Sequence, residues 1–190
     1  MISARTVRLS LGARGPLLAI LAVAALITVA PAQADDPISS LPSGPKNLLV
    51  ELSSDPAVIG EIAGAERSSE EWVAHLAGME TAMTDDQLTI LADYLALNAP
   101  VTTSGTDVAS IVAELAPDGR ELFADNCFSC HGVTSYYLLQ DRDVEGWMDI
   151  FGAPYHRRLL TGENERETFA SYAAGAMPIA EDAIPEAWKQ

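Results

Sequence analysis

Residues 117–132 read PDGRELFADNCFSCHG, and the interpretation of the whole chain starts from them. Asp118 and Glu121 stand three positions apart, which is the spacing of a helix capping box. The segment therefore predicts a helix with Asp118 as its N-cap. That helix ends in two cysteines and a histidine.

Cys127, Cys130 and His131 form the C-x-x-C-H sequence of c-type haem attachment. Two thiols three residues apart at the end of a helix can reach the two vinyl groups on one edge of a porphyrin. The adjacent imidazole can then bind the iron. We therefore expect one covalent haem c on Cys127 and Cys130, with His131 as an iron ligand.

Other chemistries of paired cysteines fit the chain less well. A redox-active C-x-x-C site is typical of a strand–motif–helix context, and the sequence pattern does not predict that context here. A zinc site would need two further ligands at suitable spacing, and the chain holds no second cysteine pair. An accidental match is the third interpretation, and a protein without covalent haem would be its signature.

Gly119, Phe123 and Cys127 recur every four residues, so they share one face of the predicted helix. This pattern, followed by C-x-x-C-H, resembles the opening helix of class I cytochromes c. In that family the glycine lets a second helix cross at close range, and the aromatic ring packs into the crossing. The resemblance implies a cytochrome c-like helical domain around one haem.

A second axial ligand is expected, because an electron-transfer haem usually has two protein ligands. Met177 precedes Pro178 and lies downstream of His131, in a segment that resembles the distal methionine loop of the family. We expect Met177 to be the sixth ligand. His156 would instead give bis-histidine ligation and a lower reduction potential. The remaining candidates are Met148, His75, Met79 and Met83.

The N-terminal segment over 1–34 indicates export. Three arginines precede an apolar run over 17–29, and an Ala-Gln-Ala cleavage pattern follows at 32–34. The run is too short to span a bilayer comfortably. We predict a signal peptide over 1–34, a periplasmic location and no membrane attachment after cleavage. An uncleaved N-terminal anchor is the alternative.

The chain is strongly acidic, with 11 Lys and Arg against 27 Asp and Glu and a formal charge of −16. The segment over 1–34 holds three of these arginines and no acid, so its removal leaves eight basic side chains against 27 acidic ones, a formal charge of −19. Such a surface repels nucleic acids and anionic lipids. It attracts basic surfaces, so we expect a redox partner protein with a basic docking patch.

The remaining chain divides into an arm and two regions. Residues 35–46 are rich in Ser and Pro and predict a flexible arm. Residues 47–106 predict an additional helical region, and 107–190 the haem domain. Within the helical region, a short extended piece is expected at 47–51. Capping boxes predict helices that begin after Ser68 and Thr84. Because strand patterns are nearly absent, the predicted class is all-α.

Two interpretations explain the helical region. In one it is a degenerate cytochrome-like domain without its haem motif, because Ala-x-Tyr-x-Ala at 92–96 and Pro100 align with the same pattern at 170–174 and Pro178. In the other, the helix over 84–97 packs on the Gly119–Phe123 face and completes the haem domain in a permuted order. We favour the permuted order, because the segment that follows Met177 is too short for a full C-terminal helix.

The sequence therefore predicts an exported cytochrome that is not itself an enzyme. It would act as a soluble carrier or as the electron-transfer subunit of a periplasmic oxidoreductase. An enzyme or sensor that uses an open haem iron for peroxide or a diatomic gas is the alternative. Binding of carbon monoxide to the reduced protein would separate the two. We find no catalytic Ser/His/Asp constellation and no Gly-rich phosphate loop in the chain.

Overall fold

The computed structural model describes residue 39, residues 41–131, residues 135–186 and residue 189. The predicted signal peptide and the first residues of the predicted arm lie outside this part of the chain. Residues 34–190 form one compact unit. No helix within the described ranges is long and apolar enough to cross a membrane.

The described residues are helical and include no β-strand, which confirms the all-α class. The α-helices are α1 Pro45–Leu52, α2 Pro56–Gly64, α3 Ser69–Ala77, α4 Asp85–Asn98, α5 Val108–Ala113, α6 Gly119–His131, α7 Ser135–Leu138, α8 Val144–Met148 and α9 Glu165–Ala176. Short 3-10 helices lie at Asp149–Gly152 and Glu181–Ala183.

The predicted helix starts are confirmed. Ser68 and Thr84 are the N-caps of α3 and α4, and each takes part in a capping box. At the start of α6, the amide of Glu121 donates to Asp118 Oδ1 at 2.9 Å, and the amide of Asp118 donates to Glu121 Oε2 at 3.0 Å. Residues 47–51, by contrast, belong to α1 and are not extended, because a proline stands at the first helical position.

Helix α6 crosses α9 at Gly119. A Cβ at this position would lie 2.1 Å from the Cβ of Tyr172 and 2.7 Å from the carbonyl oxygen of Thr168, so only glycine fits. Beside the crossing, Phe123 stacks on Phe169, with 5.7 Å between the ring centroids and 6° between the planes. The crossing that the sequence predicts for Gly119 and Phe123 is therefore present.

The partner in this crossing differs from the one expected. The prediction that the helix over 84–97 covers the Gly119–Phe123 face was wrong, since α9 occupies that face and α4 packs against α3 and α9. The helix that packs on Gly119 is α9, which ends just before Met177, so no helix after Met177 and no permuted order is needed to cover that face. The buried side chains of α9 include Phe169, Tyr172 and Ala173, at helical spacing.

The two halves of the compact unit repeat a tryptophan arrangement. Trp72 lies four positions after the N-cap of α3, and Trp147 lies four positions after the N-cap of α8. An arginine guanidinium covers each ring: Arg67 at 4.6 Å from the Trp72 centroid and Arg142 at 5.8 Å from the Trp147 centroid. Both arginines immediately precede the N-cap residue.

In each half, a tyrosine hydroxyl donates a hydrogen bond to a backbone carbonyl of the other half. The Tyr94 hydroxyl of α4 donates to the Ala116 carbonyl at 2.6 Å, two positions before the N-cap of α6. The Tyr172 hydroxyl of α9 donates to the Pro42 carbonyl at 2.8 Å, two positions before the N-cap of α1. These equivalent contacts indicate an internal structural repeat, and the interpretation of the N-terminal region as a degenerate cytochrome-like domain stays a prediction.

Residues 41–46, which the sequence assigns to a flexible arm, are packed on the start of α6. Leu41 is buried. The amide of Lys46 donates to Asp118 Oδ2 at 2.9 Å, and its ammonium group lies 3.1 Å from Glu121. Asp118 is only 1% exposed, so its carboxylate holds two chain segments together inside the fold.

We predict that Gly119→Ala destabilises the protein by about 1–3 kcal/mol, because the new methyl group overlaps the backbone and Cβ atoms of α9. Urea unfolding of the purified chain measures this loss. Gly60→Ala is the matched control: it lies inside α2 with open space around its Cβ position, and we expect a gain of about 0.5–1 kcal/mol there. Equal stability of wild type and Gly119→Ala would contradict the crossing.

We predict a larger loss for Asp118→Ala than for Asp55→Ala. Asp118 accepts from the amides of Glu121 and Lys46, so its removal leaves two donors without their acceptor and costs about 2–4 kcal/mol. Asp55 caps α2 through the Ala57 amide alone and is exposed, so about 1 kcal/mol is expected. Denaturant unfolding of both variants checks the difference, and equal losses would refute the bridging role.

Candidate functional site

The C-x-x-C-H motif occupies the C-terminal end of α6 and opens onto a cavity. Cys127 is partly buried, whereas Cys130 and His131 are exposed. All three line the same cavity, which has a volume of about 560 Å³. This volume lies within the range of roughly 300–1,000 Å³ that is typical of small-molecule and cofactor sites.

Aromatic side chains form a large part of the cavity wall. Phe169 of α9 contacts three of these rings: it stacks on Phe123, and it meets Trp147 edge-on at 5.9 Å and Phe151 edge-on at 5.5 Å between centroids. Further lining side chains are Tyr136, Tyr137, Ile150, Tyr155, Leu159 and Leu160. The helix crossing thus forms part of the cavity wall.

The polar lining residues include no carboxylate among those that the structure describes. They are Asn126, Gln140 and Arg142, together with the cysteines and two histidines. In a chain with 27 acidic residues, a described lining that includes Arg142 and no Asp or Glu differs from the rest of the protein. Such a lining is compatible with a largely apolar ligand that carries negatively charged groups.

His131 is held by a tyrosine and faces a second histidine. The Tyr137 hydroxyl and His131 Nδ1 are 2.7 Å apart, which is a hydrogen bond. The ring of His156 lies 5.8 Å from that of His131 between centroids, with an angle of 72° between the planes. Two imidazoles that can act as metal ligands therefore line one cavity.

The other predicted axial ligands lie elsewhere. Met177 is 5% exposed at the C-cap of α9, within the hydrophobic core, and does not line the cavity. Met148 borders a separate surface pocket together with Asp93 and Glu167. The candidates of the N-terminal half, which do not line the cavity either, are His75, Met79 and Met83. Of the candidates for the second axial ligand, all of which lie among the described residues, His156 alone lines the cavity, and ligation by Met177 stays a prediction.

The local chemistry argues against a dithiol redox site. Reactive thiols of C-x-x-C sites have a lowered pKa, often at a helix N-terminus. Here the motif is at the C-terminal end of a helix, and burial, with a smaller contribution from Cys130, raises the pKa of Cys127 to about 12.

Among the described side chains, no group of three or more His, Cys, Asp or Glu is arranged to hold a metal ion.

Comparisons of the chain with protein-family models, with curated proteins and with solved structures gave no match. The likeness to class I cytochromes c therefore stays a prediction based on residues 117–132.

Several parts of the site were not anticipated from the sequence. Phe169 and Arg166 of α9 were overlooked, although the helical spacing of Phe169, Tyr172 and Ala173 is a usable signal for a buried helix face. Trp147 and Phe151, from the apolar cluster at 147–151, also line the cavity.

We predict that the two cysteines of the chain without attached haem differ in reactivity. Because the thiolate is the nucleophile, iodoacetamide should modify exposed Cys130 first and partly buried Cys127 slowly. The rate at Cys127 should rise about tenfold per pH unit below its pKa of about 12. Peptide mass spectrometry between pH 7 and 9 measures both rates, with urea-unfolded chain as the control in which the difference disappears. Faster modification of Cys127 than of Cys130 in the folded chain would contradict the structure.

Proposed function

We propose that the chain is a periplasmic c-type cytochrome that transfers single electrons through one haem. The haem would be attached to Cys127 and Cys130, with His131 as an axial ligand. The main support is one observation: the C-x-x-C-H motif opens onto an aromatic-walled cavity that also contains a second histidine.

The lining residues fit a haem in shape, polarity and charge. A porphyrin is a flat and largely apolar ring, and the stacked and edge-on rings around Phe169 provide an apolar wall. Its two propionates are anionic, which matches a lining that includes Arg142 and, in its described part, no carboxylate. The two thiols lie on the same cavity, as thioether attachment to one edge of the ring requires.

Each part of the site has a role in this proposal. A bound haem supplies a one-electron couple at its iron. Cys127 and Cys130 hold the cofactor permanently, and His131 binds the iron with its ring oriented by Tyr137. Trp147, Phe151 and Phe169 are buried and exclude water from the site, which limits the reorganisation that accompanies electron transfer.

The surface supports docking to a protein partner. Tyr136 and Tyr155 line the cavity and are 62% and 91% exposed, so they lie where an approaching protein would meet the haem site. The chain that would remain after signal cleavage is strongly acidic, with a formal charge of −19. We propose a redox partner with a basic docking patch, and a subunit role in a larger oxidoreductase, because the N-terminal repeat exceeds what a minimal carrier needs.

We predict that the full precursor, expressed with haem-attachment machinery, carries one haem that survives denaturation. Cys127→Ser and Cys130→Ser each remove one thioether bond, so the haem stain of a denaturing gel should fall strongly in both, and the double variant should lose it. His131→Ala should lose the native haem spectrum, whereas the control His75→Ala, outside the cavity, should keep it. A wild-type protein without covalent haem would refute the proposal.

A further inference from the structure

The cavity contains a second imidazole beside that of His131. His156 and His131 line the same cavity, and their ring centroids are 5.8 Å apart. We propose that His156 is the second axial ligand, so that the haem is ligated by two histidines rather than by histidine and methionine. This inference rests on the proposed function, because it requires the haem.

The hydrogen bonding of His156 leaves the correct nitrogen available. His156 Nδ1 lies 3.1 Å from the carbonyl oxygen of Ile150. A carbonyl oxygen can only accept, so Nδ1 carries the proton of the neutral ring. Nε2 then holds the lone pair that a metal ligand needs. Metal-binding histidines almost always donate their other ring N–H to such a partner.

Hydrogen bonds join the turn that contains His156 to α9. Arg166 donates through Nη2 to the Arg157 carbonyl at 2.8 Å and through Nε to the Leu159 carbonyl at 3.2 Å. Its guanidinium carbon also lies 5.0 Å from the centroid of the Phe151 ring. The position of His156 is therefore stabilised by α9, the helix that crosses α6.

Methionine ligation would require a rearrangement. Met177 is buried at the C-terminal end of α9, where its amide donates to the Ala173 carbonyl at 3.1 Å. Met148 lines a different pocket, beside Glu167. Either side chain would have to leave its present packing to reach the cavity, whereas His156 already lines it.

The test compares absorption and near-infrared spectra of haem-loaded wild type, His156→Ala and Met177→Leu, oxidised, reduced, and reduced with carbon monoxide. Leucine conserves the volume at the buried position 177, so this variant keeps its fold. We expect wild type to lack the methionine–iron charge-transfer band and to resist carbon monoxide. His156→Ala should bind carbon monoxide completely, and added imidazole should restore the wild-type spectrum. Met177→Leu should match wild type.

A second variant guards against loss of folding in His156→Ala. His156→Met places a thioether at the same position, so it should gain the methionine–iron band and show a higher reduction potential than wild type. Far-ultraviolet circular dichroism of all variants checks that the helices are retained. Unchanged spectra in both position-156 variants would overturn the assignment.

The remaining outcomes also decide the matter. A methionine–iron band in wild type that disappears in Met177→Leu would overturn the inference in favour of Met177. Carbon monoxide binding by wild type would overturn it in favour of an open iron. In both cases the covalent haem is present. Ligation by Met177 would leave the proposed electron transfer unchanged, whereas an open iron would replace it by an enzyme or sensor that uses the haem iron. Absence of covalent haem from wild type would instead reject the proposed function and this inference together.

Discussion

The close approach of α6 and α9 at Gly119 is the contact on which the rest of the structure depends. The lack of a side chain at Gly119 lets Tyr172 and the Thr168 carbonyl reach the backbone of α6. That approach stacks Phe123 on Phe169, and Phe169 in turn carries the edges of Trp147 and Phe151. The cavity at the haem motif exists because these rings meet there. The glycine at position 119 is therefore required for the geometry of the proposed cofactor site.

The N-terminal half stabilises this crossing from both ends. The hydroxyls of Tyr94 and Tyr172 donate to carbonyl oxygens just before α6 and just before α1, respectively. Asp118 joins the start of α6 to the first turn of α1. In the first half, α2 contributes Ile59 and Ile62, which are almost completely buried, to the hydrophobic core. The contacts between the halves therefore join them around one core.

Local signals in the sequence were sufficient for the helix starts and for finding the C-x-x-C-H motif. The boxes at Ser68, Thr84 and Asp118 depend only on neighbouring residues, and all three are present. Which helix crosses Gly119 depends on a contact with α9, about 50 residues along the chain, and no local pattern around Gly119 identifies that partner. The position of His156 likewise depends on Arg166 and the tertiary placement of α9, which no local pattern encodes.

The hydrogen bond between Tyr172 and Pro42 joins residues at nearly opposite ends of the compact unit's sequence. Contacts of such sequence separation form late, because a long loop must close before they contribute any stability. The compact unit therefore cannot close until nearly all of the chain has arrived. Under the proposed function, late docking of α9 would leave the thiols of α6 accessible for attachment of the haem.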